Sequence, residues 1–514
     1  MTACIYPSSF IICYDICNWL NIGTEMLHFR SSKSAALHSI SFLYASGFKR
    51  IKALLHKGII GFVTCCLFIT QSFAYSPYTT KELDDLEKEF VQQINQSDSV
   101  IRNPLATQYI NHLGGILAKH SNQPMPDFFI VKSNEINAFA GPGGHIGINT
   151  QLILASDTES ELAAVMAHEL AHVRQNHLYR MIQHQKQMRI PLLASILASA
   201  ALGLINPVLG SGAMMASMSG VAQDSINYTR SNEKEADRIG IDMLIKSGLN
   251  PNGMAAFFKK MQQNSRYYYT NNIPAILRSH PLDQDRIAEA QNRSAQLSKN
   301  HKYHESLDYQ YFKELIRNLA QDNPKLLLDY YKPVCKNAKD ANACKYGLAL
   351  AEIKANNSKA ANSILQQLLN VQPNNIYLQT AKSDAEISAR EFGPALKRLS
   401  DLYDNYPEHY AVLVSYAQGL MASGSADKAA SVLLKGSREF KTDLSICLML
   451  SQAQSDTGRK DYAYFTLAQC ELLQGRKRSA MQQLKSAKKL VKNDRYLTAR
   501  IDAKMEEIKY LASS

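Results

Sequence analysis

Two histidines one helical turn apart enclose a glutamate in the sequence His168-Glu169-Leu170-Ala171-His172. Because positions i and i+4 of an α-helix lie on one face, both imidazoles can point at one metal ion. Zinc is commonly bound by imidazole nitrogens of this kind. Glu169 directly follows the first histidine, so its carboxylate can reach a water beside the metal and act as the general base of a hydrolysis.

A catalytic zinc site usually takes three protein ligands, so one more has to come from elsewhere in the chain. The sequence Glu233-Lys234-Glu235-Ala236-Asp237 places the carboxylates of Glu233 and Asp237 one helical turn apart, ahead of a helix that continues to Gly248. We predict that Glu233 is the third ligand and that Asp237 holds a ligand imidazole by a hydrogen bond. The alternative is a solvated acidic helix face, which the first motif disfavours. The predicted cofactor is one Zn²⁺ per chain.

The elements that position these residues are predicted by local patterns. Residues 156–159 have capping-box spacing and open a helix whose apolar residues recur at helical intervals (Leu162, Val165, Met166, Leu170 and Val173). Two amphipathic helices are predicted between Thr79 and His120. Short apolar runs at 128–131, 137–140 and 145–149 predict a small β-sheet, with a turn at Pro142-Gly143-Gly144.

Together these motifs resemble the gluzincin metallopeptidases, which include HtpX and the CAAX prenyl proteases. The resemblance covers about residues 75–514 and is specific in the first half. It implies that His168, His172 and Glu233 bind zinc and that Glu169 is the base. It also implies a peptide-binding strand edge at Asn137, Ala138, Phe139 and Ala140, where backbone hydrogen bonds would hold an extended substrate. An ordinary hairpin is the alternative for that segment.

The same resemblance implies that two downstream residues, His280 and Arg286, lie near the zinc site. An imidazole at His280 could displace the catalytic water and hold the enzyme off, or it could stabilise an oxyanion. A lone histidine with a purely structural role is the third interpretation. The sequence leaves these alternatives open.

Composition favours a globular protein of two or three domains, with 514 residues, 20% charged and 46% hydrophobic. The net charge is +12, but six basic and two acidic residues precede Tyr75, and the remaining charge of +8 is modest. It favours mild attraction to anionic membrane surfaces, and no nucleic-acid-binding motif accompanies it.

Residues 47–74 are typical of a secretory signal peptide. They contain a basic region at 49–57, an apolar run at 59–69 and a cleavage site at Ser72-Phe73-Ala74, so Tyr75 is the predicted first mature residue. Residues 1–46 show no organisation, and one explanation is a start codon assigned too far upstream. The family resemblance implies a periplasmic protein.

Export changes the interpretation of the cysteines, because an oxidising compartment favours disulfides. Four of the nine cysteines follow Ala74, and three connectivities are possible. We favour the sequence-local pairs Cys335–Cys344 and Cys447–Cys470 over four free thiols.

Residues 191–205 are apolar and precede a Gly/Ser/Met-rich stretch that ends near Val221. The apolar run is short for a transmembrane span. A buried helix, a membrane-contacting segment and a mobile lid are the three alternatives, with the lid favoured because glycines permit hinging. In each case the segment would control access to zinc.

A 34-residue period marks the C-terminal part, where alanines recur at Ala361, Ala395, Ala429 and Ala463. This period is typical of tetratricopeptide repeats. The predicted fold is therefore mainly α with a small β-sheet: a gluzincin metallopeptidase domain at 75–320, followed by a tetratricopeptide-repeat solenoid at 321–514.

The motifs predict a zinc endopeptidase, and the resemblance implies an exported one with a chaperone-like role in outer-membrane protein assembly and quality control. The resemblance also implies its partners: unfolded or assembling outer-membrane proteins and, through the repeats, the outer-membrane assembly machinery. The first alternative is an assembly chaperone or scaffold whose protease site is mostly shut. The second is an integral membrane peptidase.

Overall fold

A four-stranded sheet and the helices around it form the N-terminal half of the protein in a computed structural model. The structure describes residues 80–119, 126–180, 223–267, 274–298, 303, 305–337 and 341–513. The predicted signal peptide, the residues before it and the access segment at 191–221 lie outside the described residues. No helix within the described ranges is long and apolar enough to cross a membrane.

The strands are β1 (Val100–Ile101), β2 (Phe128–Val131), β3 (Ala138–Ala140) and β4 (Ile146–Asn149), in the order β1-β2-β4-β3. β2 and β4 are parallel, whereas β1 and β3 run antiparallel to their neighbours. Gly143 and Gly144 have φ angles of 76° and 84° in the turn before β4, a conformation that glycine adopts most readily. The predicted strands and turn are confirmed, and β3 lies at an edge of the sheet.

Helices α1 to α9 belong to the same half and carry the site. They are α1 (Thr80–Gln96), α2 (Pro104–Ala118), α3 (Thr150–Ala155), α4 (Glu159–Arg174), α5 (Gln223–Lys246), α6 (Asn252–Tyr267), α7 (Ala275–Ser279), α8 (Gln284–Leu297) and α9 (Leu307–Ala320). α4 is buried along most of its length, because its apolar residues pack into a core shared with α2, α5 and α6.

Two local predictions need correction. The N-cap of α4 is Thr158, whose side chain accepts a hydrogen bond from the backbone N of Glu161, while Glu161 accepts one from the backbone N of Asp157. The capping box therefore lies two residues later than predicted, because Ser156 instead bonds back to Leu152 at the end of α3. The second motif does not precede its helix but lies in the middle of α5.

Helices α10 to α20 stack in sequence order and form the C-terminal half. They are α10 (Pro324–Asn337), α11 (Ala341–Lys354), α12 (Ser358–Val371), α13 (Ile376–Ser388), α14 (Phe392–Asn405), α15 (Tyr410–Ala422), α16 (Ala426–Glu439), α17 (Leu444–Asp456), α18 (Lys460–Leu473), α19 (Lys477–Leu490) and α20 (Arg495–Ser513). Adjacent helices contact one another along this series. The predicted helical-repeat fold is confirmed.

The periodic alanines of the repeat half are buried where adjacent helices approach closely. They lie near the starts of α12, α14, α16 and α18, which begin 34 residues apart. Disulfides join Cys335 to Cys344 and Cys447 to Cys470, the two favoured pairs. The hydrophobic core continues from α4 through α9 into α12 and α13, so the boundary at residue 320 stays a prediction.

Candidate metal centre

The site forms where α4 and α5 pack against each other. A Cβ added at Gly240 would lie only 3.3 Å from the backbone nitrogen of His168, so glycine permits the close approach of the two helices. This contact aligns the i, i+4 face of α4 with the i, i+4 face of α5. The two histidines of the first motif therefore face Glu233 and Asp237 of the second.

Four side chains converge at the crossing. The Nε2 atoms of His168 and His172 are 3.0 Å apart, and Glu233 places one carboxylate oxygen 3.3 Å from the first and the other 3.4 Å from the second. The Nδ1 atom of His280 lies 3.1 Å from Glu233 Oε1 and 3.3 Å from His168 Nε2. One potential ligand atom from each residue fits within a group spanning 4.8 Å, so these side chains could hold a single metal ion.

The chemistry of this group favours a cation. His168 Nδ1 donates to Asp237 at 2.9 Å, so in the neutral imidazole Nε2 carries a lone pair that faces the nitrogen of His172. Burial lowers the pKa of His168, but hydrogen bonds to Asp237 and Glu233 outweigh it and raise the pKa to about 10. The site therefore attracts positive charge at the point where the nitrogens and the carboxylate meet, as a metal site should.

Asp237 and Arg286 support the group from behind. Arg286 donates to both oxygens of Asp237, from Nε at 2.7 Å and from Nη2 at 2.8 Å, and its Nη1 lies 3.0 Å from Glu233. Burial raises the pKa of Asp237, but hydrogen bonds from Arg286 and His168 outweigh it and lower the pKa. The guanidinium is 2% exposed, so one buried cation orients both carboxylates of α5.

A second series of hydrogen-bonded side chains supports His172, and none of its members was predicted from the sequence to have a role. His172 Nδ1 lies 2.8 Å from His177 Nδ1, and His177 Nε2 lies 3.2 Å from Glu235, which also pairs with Arg180 at 3.1 Å. The sequence does place both partners near the motifs, because His177 follows His172 by five residues and Glu235 lies inside the second motif. The turn that brings His177 back toward His172 contains Asn176 with a φ of 52°, and the helical pattern does not show it.

Glu169 is close to the group without belonging to it. It is 1% exposed, its Oε1 atom has no hydrogen-bond partner among the described residues, and that atom lies 3.4 Å from His280 Nε2. A buried carboxylate oxygen without a hydrogen-bond donor is available to accept a proton from a bound molecule.

The strand edge predicted to bind substrate, residues 137–140, is formed mainly by β3. Asn137 accepts a backbone hydrogen bond from Asn149, and Gly141 donates one to His145, so both residues face β4. Because the direction of hydrogen bonding alternates along an antiparallel strand, the backbone N–H and C=O groups of Ala138 and Ala140 point away from β4. β3 also contacts α4, the helix that carries both histidines. The structure thus places this edge beside the helix of the first motif.

Comparison with known proteins assigns the class. Peptidase family M48 matches residues 104–294, a range that includes every side chain of the group described above. With this match, the fold and the site define a metallopeptidase.

Three curated relatives identify the family within this class of metallopeptidases. The beta-barrel assembly-enhancing protease of Escherichia coli (strain K12) is 33% identical over 428 residues, which cover 82% of this chain and 87% of that protein. The protein of the same name from Yersinia pestis is 31% identical over 429 residues, with the same coverage. The putative one from Vibrio cholerae is 31% identical over 425 residues, again with 82% and 87% covered. This chain belongs to the family of beta-barrel assembly-enhancing proteases.

Proposed function

We propose that this protein is an exported zinc endopeptidase of the periplasm that acts on unfolded or stalled outer-membrane proteins. The observation that carries the proposal is the convergence of His168, His172 and Glu233 on one point beside the buried Glu169, whose Oε1 atom accepts no hydrogen bond among the described residues. Two imidazoles and a carboxylate are a ligand set used by catalytic zinc. The names of the relatives support the assembly role, since each is called a beta-barrel assembly-enhancing protease.

In this proposal, zinc, when bound, acts as a Lewis acid toward the scissile carbonyl and the attacking water. Glu169 takes the proton from the water and later delivers it to the leaving amine. Asp237 holds His168 with its Nε2 atom toward the metal, and Arg286 keeps both Asp237 and Glu233 ionised and oriented. The outward backbone groups of Ala138 and Ala140 bind the substrate as an added strand.

His280 completes the proposal as a regulator. Its Nδ1 atom lies among the ligand atoms and its Nε2 atom lies beside Glu169, so one imidazole contacts both the metal group and the base. This geometry favours occupation of the position that water needs over stabilisation of an oxyanion. The resting enzyme is therefore inactive until His280 moves.

The proposed binding partners are inferred from the repeat half. A stack of paired helices offers a long surface for protein contacts, which suits docking to the outer-membrane assembly machinery. Peripheral contact with an anionic membrane surface accords with the net charge of +8 from Tyr75 onward. A scaffold with a mostly shut protease site is the second candidate, and the position of His280 favours it.

Substitution of Glu169 by Gln tests the peptidase mechanism. We expect Glu169→Gln to abolish cleavage of an unfolded outer-membrane protein while zinc content stays at that of the wild type, because Glu169 is outside the ligand group. Glu289→Gln, at a partly exposed position on α8, is the matched control and should cleave normally. Normal cleavage by Glu169→Gln would refute the assigned base.

The same variant separates the two candidate functions. If Glu169→Gln restores outer-membrane assembly in cells that lack the protein, the binding role dominates. If it restores none while the folded protein accumulates normally, proteolysis is the function that matters.

A further inference from the structure

A cavity of about 760 Å³ opens in the last part of the repeat half. Its walls come from α16 and α20, and its floor from α17 and α18. Leu450 and Phe465 make the floor apolar, and the buried hydroxyl of Thr466 donates to Gln454 at 2.8 Å. The volume is in the range of pockets that enclose a ligand. None of the residues of the metal centre lines it.

The rim of this groove is positively charged. Arg438, Lys441, Arg459 and Arg500 are exposed, and none of them forms an ion pair within the described residues. The groove also contains two acidic residues, but both are already engaged. Asp443 caps α17 through the backbone N of Ile446 and accepts a bond from Tyr410, and Glu507 pairs with Lys504 at 2.6 Å.

Aromatic rings hold two of these cations in place. The guanidinium carbon of Arg459 lies 4.8 Å from the ring centroid of Tyr462, and that of Arg500 lies 4.6 Å from Phe465 and 5.5 Å from Tyr496. A guanidinium over a ring face keeps its N–H groups free for carboxylates. Tyr496 is 71% exposed, so much of its ring stays accessible at the mouth of the groove.

The two helices of the groove floor are also fixed in place. Cys447 lines the groove and is disulfide-bonded to Cys470, which joins α17 to α18. Side chains of Asn95 and Gln96 on α1 donate to the backbone carbonyls of Leu473 and Gln474 at the end of α18. A binding surface fixed in this way loses little conformational entropy when a partner binds.

We propose that this groove binds an extended polypeptide segment that carries acidic side chains together with an aromatic or aliphatic one. Its charge selects carboxylates, and its apolar floor and exposed ring select the hydrophobic side chain. A flat anionic bilayer fits the charge but cannot enter a concave groove between α16 and α20. The inference deepens the docking role proposed above and does not depend on peptide hydrolysis.

The test uses the full mature chain with Glu169→Gln, so that a bound peptide is not hydrolysed. Fluorescence anisotropy measures binding of a labelled peptide of alternating Glu and Phe, and of the same peptide with Gln in place of Glu. The groove variant is Arg459→Gln with Arg500→Gln. The control variant is Lys485→Gln with Lys489→Gln, which removes two exposed lysines of α19 that do not line the groove.

We expect the groove variant to bind the acidic peptide at least tenfold more weakly than the control variant, and the Gln peptide to bind weakly to both. Added salt should weaken the acidic complex, since its charges are partly exposed. Arg459→Glu with Arg500→Glu should prefer a Lys-containing peptide. Tyr496→Ser changes a highly exposed residue, so it should fold, and it should also weaken binding.

Three results would overturn the proposal. The first is equal affinity of the groove and control variants for the acidic peptide, with circular dichroism showing both folded. The second is equal affinity of the chain with Glu169→Gln alone for the acidic peptide and the Gln peptide. The third is binding to phosphatidylglycerol vesicles, but not to either peptide, that is lost with Arg459→Gln and Arg500→Gln. Because every arm carries Glu169→Gln, a failure of the peptidase proposal leaves these outcomes unchanged.

Discussion

Arg286 offers the strongest test of how the site is held together, because one buried guanidinium serves both carboxylates of α5. It makes two bonds to Asp237, at 2.7 and 2.8 Å, approaches Glu233 at 3.0 Å and donates to the carbonyl of Pro281 at 2.7 Å. Arg286→Gln would remove the buried guanidinium and leave Asp237 and Glu233 with the imidazoles of His168 and His280 as their remaining partners. Breaking a buried ion pair from one side costs roughly 3–5 kcal/mol.

We therefore expect Arg286→Gln to lower the free energy of unfolding of the metal-free protein by about 3–5 kcal/mol. Zinc brings two positive charges to the same carboxylates, so the loss should be smaller in the zinc-loaded protein. Arg286→Lys keeps the charge but loses the planar fork, and it should fall between the wild type and Arg286→Gln.

Urea denaturation followed by far-ultraviolet circular dichroism, with and without zinc, measures both effects. Arg238→Gln is the matched control, because Arg238 follows Asp237 directly on α5 but pairs with Glu289 at the surface. Such pairs contribute about 0–1 kcal/mol. If Arg286→Gln costs no more than Arg238→Gln, or costs more in the zinc-loaded protein, the assigned role of the guanidinium is wrong.

Three further predictions concern the histidines. His280→Ala should raise peptidase activity on an unfolded protein substrate, because it clears the position beside Glu169; unchanged or reduced activity would favour the oxyanion role. His177→Ala should weaken zinc binding roughly 10- to 100-fold in a chelator competition, since it removes the partner of His172 Nδ1, and His177→Gln should recover part of that loss. Carboxylates raise the pKa of His168 to about 10 in the metal-free protein, so zinc must displace a proton. Zinc affinity should therefore rise about tenfold per pH unit between about pH 7 and 9, and a flat profile would show that this imidazole binds metal already neutral.

The local elements were predictable because their signals are short-range. The i, i+4 spacing of His168 and His172 is a property of one helix, and the 34-residue alanine period is repeated along the chain. Both need only the geometry of a single helix or a helix pair. The cysteine pairs were favoured for the same reason, as the partners are close in sequence.

The remaining features depend on contacts between distant segments. The parallel pairing of β2 with β4, the two-residue strand β1 and the link from His177 to Glu235 arise only when separate elements meet. The charged groove of the repeat half likewise draws residues from four helices. The capping error at α4 has a different origin, because Ser156 and Thr158 both fit the pattern and tertiary packing selects between them.

Zinc content tests the central claim most directly. The purified mature chain should carry one zinc per molecule, and X-ray absorption should show nitrogen and oxygen ligands without sulfur. Glu233→Ala should lose most of that zinc, while Asp242→Ala, which changes a half-exposed carboxylate of α5 that pairs with Arg293, should retain it. A folded wild-type chain without zinc, or a Glu233→Ala variant that keeps it fully, would contradict the shared site.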